Sequence, residues 1–114
     1  MTFRDWLNKQ TIDRRNRVKN GISLVTKNYL FEELKLKDGL SLSVQASDGH
    51  MCSPRETIQD NSEYEEVEVY SHGVYVNELI HFASESEFTY GHVPVELMEE
   101  LVEKHGGIEE NNGD

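Results

Sequence analysis

The sequence predicts an α+β fold, a small antiparallel sheet of about four strands with a C-terminal helix packed on one face and an N-terminal helical arm. Three observations carry this expectation. Near the C-terminus, Val95, Met98, Leu101 and Val102 recur at helical spacing while Glu96, Glu99, Glu100 and Glu103 fall on the opposite side. The stretch GLSLSVQAS (39–47) alternates apolar and polar side chains with a period of two, as a half-buried strand does. Finally, 114 residues of which 36% are apolar can build one modest core and no second.

Thr2, followed three residues later by Asp5, forms a capping box for a first helix whose inward face begins with Phe3, Trp6 and Leu7. From Gln10 to Asn20 only Ile12 and Val18 are apolar among Arg14, Arg15, Arg17 and Lys19, and Asn20–Gly21 stops the helix. Residues 1–21 therefore read as a basic helical arm docked by its tip. The single domain then spans 22–108, and the tail EENNGD (109–114) reads as disordered.

Within the domain, Tyr29 to Leu36 forms the first strand of a hairpin. A two-residue turn at Asp38–Gly39 would oppose Leu36 to Ser41 and Leu34 to Ser43, mixing apolar and polar side chains on one face. A three-residue loop with Gly39 in the left-handed region pairs Leu36 with Leu40 and Leu34 with Leu42, and this register is preferred. After Ser47, Asp48 and Gly49, the segment SPRE reads as a second capping box, with Ser53 as N-cap, Pro54 at the first helical position and Glu56 at the third. Next, YEEVEVYS alternates Val67 and Val69 with Glu66 and Glu68. Gly73 permits a turn, and VYVN returns as a short strand. NELIHFA reads as one or two helical turns capped by Asn77, with Leu79, Ile80 and Phe82 inward. FTYGHV is the last strand, and Pro94 opens the C-terminal helix. Gly106 and Gly107 close that helix, with Lys104 and His105 at the negative end of its dipole.

Charge divides the chain. Residues 1–37 hold nine Lys and Arg against four acids, a balance of +5, and the remainder holds two bases (Arg55, Lys104) against eighteen acids, −16, giving −11 in all. The acidic body repels phosphates, which excludes direct nucleic-acid binding by it. The basic arm could grip an RNA or DNA, but it is complementary to the acidic body of its own or a neighbouring subunit, and with so small a core this predicts a homo-oligomer. The single cysteine, Cys52, rules out an internal disulfide framework and fits a reducing, cytoplasmic location, and no apolar run approaches a membrane span.

The sequence assigns no catalytic residue, cofactor or metal. It has no G-x-S-x-G elbow, no H-x-x-x-H, C-x-x-C or H-E-x-x-H spacing, and no phosphate-binding glycine loop. His50 and Cys52 are the one close pair, and they support the alternative of a small metal- or thiol-dependent enzyme. The binding candidates are Ser41, Ser43, Gln45 and Ser47, an uncharged face in a heavily charged protein, together with His50 and Arg55. Hydroxyls, an amide, an imidazole and a guanidinium suit a hydroxylated, phosphate-bearing ligand. The same serines also suit an exposed face or a subunit seam.

GLSLSVQAS, CSPR and YGHVPVELMEELVEKHGG together resemble small uncharacterised proteins encoded by bacteriophages, over about residues 36–108 and excluding the basic arm. The resemblance implies an accessory protein acting in a bacterial cytoplasm that sequesters or blocks a host defence component. That component would be a nucleotide-like signal held by the serine face or a host protein held by an acidic surface. For the latter, Glu65, Glu66 and Glu68 with Glu96, Glu99, Glu100 and Glu103 could imitate a phosphate array.

Overall fold

The computed structural model describes residues 1–10, 31–47, 49–56, 63–84, 86 and 88–110. Residues 3–10 form α1. Four strands follow, β1 (Leu34–Lys35), β2 (Ser41–Gln45), β3 (Glu66–Tyr70) and β4 (Thr89–Pro94), with a 3-10 helix at Asn77–Phe82 before β4 and α2 (Val95–Lys104) at the end. The strands lie in chain order and every pair is antiparallel, so the chain is α+β. The distal part of the basic arm, with Arg14 to Lys19, lies outside the described residues.

The hairpin adopts the three-residue loop. Leu34 pairs with Leu42 and Lys35 with Ser41, Leu36 N–H donates to the Leu40 carbonyl at 2.8 Å, and Gly39 takes φ +101°. This register keeps Leu34, Leu36, Leu42 and Val44 on the buried face, none more than 1% exposed. Both sheet edges are covered. Along β1, Lys37 N–H donates to Gly107 and Glu109 N–H to Lys35. Along β4, Ser84 N–H donates to Thr89 and His92 N–H to Met51.

A bulge in β4 keeps the core continuous. Val67 pairs with Val93 and Val69 with Tyr90, so Gly91 and His92 together oppose Glu68. Tyr90 and Val93 are three apart and would face opposite sides of a regular strand; the extra residue, with His92 at φ +53°, turns both inward. Onto this face α2 packs Val95, Met98, Leu101 and Val102. The helix ends in a Schellman motif: Gly107 N–H donates to Val102 and Gly106 N–H to Glu103, both glycines having positive φ.

The capping box of α1 forms reciprocally, Thr2 N–H donating to Asp5 Oδ2 (3.2 Å) and Asp5 N–H to Thr2 Oγ1 (3.1 Å). The tip docks through Phe3, Trp6 and Leu7, and Trp6 meets Phe31 edge to face at 6.4 Å. Glu99 of α2 adds a second cap, accepting from Phe3 N–H at 2.8 Å and Arg4 N–H at 3.1 Å. Its position on the helical wheel predicts a solvated carboxylate; the structure instead uses it to join the two helices.

Five local expectations are corrected. SPRE is not a helix start: Ser53 bridges to Glu66, and its carbonyl accepts from Glu65 and Glu66 N–H, so its backbone extends the sheet. The bond to Pro54 is cis. VYVN forms no strand among the described residues, because the Ser71–Val74 turn and the 3-10 helix take up that length of chain. Asn77 begins the 3-10 helix without capping it. That helix repeats every three residues, so Leu79 and Phe82 share the inward side while Ile80 is 59% exposed. Pro94 stands immediately before α2 and closes β4.

Candidate functional site

Of the serine-strand candidates, two are consumed internally. Gln45 is buried; its Oε1 accepts from Phe31 N–H at 2.8 Å while its amide donates to the Phe31 carbonyl and to Ser43 Oγ. Ser47 is also buried, with its hydroxyl 2.6 Å from His50 Nδ1 and accepting from Gly49 N–H. These bonds pin the chain before β1 and the turn after β2. Arg55 is exposed and Ser43 half-buried. Among the six candidates, Ser41 alone lines either described cleft.

The Cys52 thiol is 1% exposed and directed to the carbonyls of Ser47 (3.1 Å) and Pro54 (3.3 Å), while His50 Nδ1 lies against the Ser47 hydroxyl. Among the described residues no group of three or more His, Cys, Asp or Glu is arranged to hold a metal.

The structure builds a different site, at the end of the sheet where the β1–β2 loop, the segment after β3 and the C-terminus of α2 meet. There a cleft of 760 Å³ is lined by Glu33, Asp38 and Glu78, by His72 and His105, by Ser41, and by the apolar Leu40, Val74, Tyr75 and Val76. Among the described residues its lining includes no Lys or Arg. That volume lies within the range of ligand-binding clefts.

One wall is a tight turn. Val74 N–H donates to the Ser71 carbonyl at 3.1 Å, and the central residues His72 and Gly73 have φ +55° and +86°, the signature of a type I′ turn. A histidine tolerates the left-handed region better than a branched side chain does, yet it is still uncommon there. Ser71 holds the turn from inside, its buried hydroxyl donating to the Val74 carbonyl at 2.5 Å, and Ser71 N–H donates to Phe88. Beyond the turn Val76 is buried, with its N–H directed to the Tyr90 hydroxyl. The residues between these anchors point outward: Val74 is 50% and Tyr75 64% exposed, and the Tyr75 ring meets Phe88 at 5.0 Å. Four of the five exposed large apolar side chains among the described residues fall in the segment 70–80: Tyr70, Val74, Tyr75 and Ile80.

The charged groups join the elements around the cleft. Glu33 Oε2 accepts from Ser41 Oγ at 3.1 Å and meets His72 Nε2, whose ring lies edge-on to Tyr70 at 4.9 Å. His105 is clasped on both sides, Nδ1 by Asp38 Oδ2 at 2.5 Å and Nε2 by Glu78 Oε2 at 2.9 Å, while Lys104 reaches Glu78 at 3.5 Å. Two ring nitrogens that both donate require the imidazolium. Partial burial pulls the His105 pKa down, but its hydrogen bonds to the Asp38 and Glu78 carboxylates outweigh this, and the value is raised above the usual 6.5. Asp38 is lowered, chiefly by its bond to His105 and then by Leu40 N–H. Glu78 is lowered although burial opposes this, because its own backbone N–H, His105 and Lys104 favour the ionised form.

Ser41 Oγ and His72 Nε2 both contact the same oxygen of Glu33, which joins the β1–β2 hairpin to the turn after β3. The sequence signal for the site was limited to Ser41, a polar residue off the core, and Gly73, which marks a turn. Reading VYVN as a strand conceals that Val74 and Tyr75 face outward.

The fold and cleft define a small α+β chain with a preformed surface recess. Comparison with family models, curated proteins and solved structures gives no match. No helix among the described residues is long and apolar enough to cross a membrane.

Proposed function

We propose that this chain is a non-enzymatic accessory protein that binds and blocks a partner protein through the cleft and its aromatic rim. The resemblance to phage-encoded proteins supplies the setting, a host component inside an infected bacterium as the partner. The observation that carries the reading is the exposure of Val74 and Tyr75 on a turn whose flanks are fixed by Ser71 and Val76. A preformed aromatic anchor loses little conformational freedom on binding, and tyrosine is enriched among residues that dominate interface energetics.

Between the two partner kinds the sequence suggests, the geometry favours a protein. Among the described residues, a nucleotide-like anion entering the cleft meets three carboxylates and no Lys or Arg. The serine strand spends Gln45 and Ser47 on its own backbone and side chains. The phosphate-imitation reading also weakens along α2, where Glu99 caps α1 and Glu96 lies 3.6 Å from Arg4. The enzyme alternative at His50 and Cys52 has a buried thiol as its nucleophile and is not favoured.

The test is affinity capture with the intact chain and with Val74→Ser/Tyr75→Ser, both checked for an unchanged melting temperature. Specific partners retained by the wild type and lost on the double variant support the reading. Equal retention on both removes it. Sedimentation of both forms tests self-association: a dimer dissociated by the double variant would make a second copy the occupant of this surface.

A further inference from the structure

We infer that the segment held in the cleft carries an arginine or lysine beside an aromatic or aliphatic residue, with Glu33 and Tyr75 as the residues that select it. This deepens the proposed function and rests on the cleft being the binding surface. Asp38 and Glu78 both face the His105 imidazolium, and Glu78 faces Lys104 as well. Glu33 is the lining carboxylate whose described partners are a hydroxyl and an imidazole. Those two contacts fix its orientation within the lining, and a pre-oriented carboxylate suits a guanidinium or ammonium group.

Apolar complementarity is the second half. Leu40, Val74, Tyr75 and Val76 share the lining with these acids, so an occupant that is only charged leaves apolar surface wet. One that is only apolar desolvates Glu33 without compensation. A cation next to an apolar side chain meets both demands, and Tyr75, 64% exposed, adds aromatic surface of the kind that attracts a cation. The whole chain's charge of −11 draws a basic segment toward the surface, but it does so for any basic molecule. Selection must therefore come from Glu33 and the rim together, and an extended partner segment supplies what a free polyamine lacks.

The experiment is selection of random displayed peptides on the intact chain at physiological salt, followed by affinity measurement of synthetic versions. The expected result is enrichment of peptides with Arg or Lys adjoining an aromatic or aliphatic residue, their affinity falling about tenfold in Glu33→Gln and further in Val74→Ser/Tyr75→Ser. Glu33→Gln keeps an acceptor for Ser41 and His72, so the turn stays in place. Enrichment of neutral or acidic peptides overturns the inference, as does no enrichment at all. Basic peptides that bind wild type and double variant alike reduce the effect to general acidity and overturn it too, and so does displacement by free arginine or spermidine at the peptide's own concentration. A protein captured through the rim whose contact segment lacks Arg and Lys refutes this inference and leaves the proposed function standing. Equal capture by the double variant refutes both.

Discussion

Replacing Glu99 with alanine tests how the N-terminal helix is held, and the structure sets the magnitude. The carboxylate accepts two backbone N–H groups, from Phe3 at 2.8 Å and Arg4 at 3.1 Å, at the end of α1 where donors lack intrahelical partners. Loss of a side-chain cap to alanine costs about 0.5–2 kcal/mol. A carboxylate near a helix N-terminus contributes about 0.3–1 kcal/mol more through the dipole. Water reaches the vacated donors in part, so the sum comes to about 2 kcal/mol, a sizeable share of the ~5–15 kcal/mol that stabilises a domain of this size. At roughly 4 °C per kcal/mol, the melting temperature of Glu99→Ala falls by about 8 °C, and Glu99→Gln, which keeps one acceptor but no charge, falls by about half that. Thermal melts followed by circular dichroism and by Trp6 fluorescence measure this, since Trp6 is buried where α1 docks. A Glu99→Ala melt within about 2 °C of wild type would show that Phe3, Trp6 and Leu7 hold the helix without the cap, and the reasoning would fail.

The clasp around His105 makes stability depend on pH in a defined direction. Its raised pKa contributes stability that is complete below the usual 6.5 and lost as pH rises through the folded value; the lowered Asp38 and Glu78 contribute stability present above about 4.5 and lost in acid. The melting temperature should fall as pH rises above about 6.5 in wild type and fall less in His105→Gln, and parallel profiles would disprove the assignment. Gly91→Ala should cost about 1–3 kcal/mol in urea unfolding, because a Cβ there would stand 2.8 Å from Met51 Sδ and 3.1 Å from Met51 Cβ. Met51→Ala in the same chain should recover part of that loss, and an unchanged denaturation midpoint in Gly91→Ala alone would contradict the packing described. Arg55→Ala separates the serine strand from the cleft: partner binding should be unchanged, and its abolition in a normally folded variant would move the site to Ser41, Ser43, Gln45, Ser47, His50 and Arg55.

What could be read from the sequence was set by local rules. The β1–β2 register follows from counting which loop length keeps four apolar side chains on one face, and Gly39 supplies the positive φ that this loop needs. The Thr2–Asp5 box and the Gly106–Gly107 terminus are likewise short-range and were legible for that reason. Glu99 was not, because its partner is a helix end far away in sequence, and periodicity marks only that it lies off the apolar stripe of its own helix. The β4 bulge escaped because alternation assumes one residue opposite one; two of its residues oppose Glu68. Ile80 was misplaced by assuming an α period where the backbone is 3-10. At the candidate site, Ser41 was legible as a polar residue off the core. Glu33, His72 and His105 come together only through the tertiary fold.

The most direct test of the central claim is site-specific photo-crosslinking in bacterial cells that express the chain, with a photoreactive phenylalanine analogue in place of Tyr75 and, separately, in place of Arg55. The account predicts a discrete covalent adduct with one partner protein from position 75, the attachment mapping to a segment that contains arginine or lysine, and none from position 55. An adduct from position 55 with none from position 75 would contradict it and place the binding surface on the serine strand.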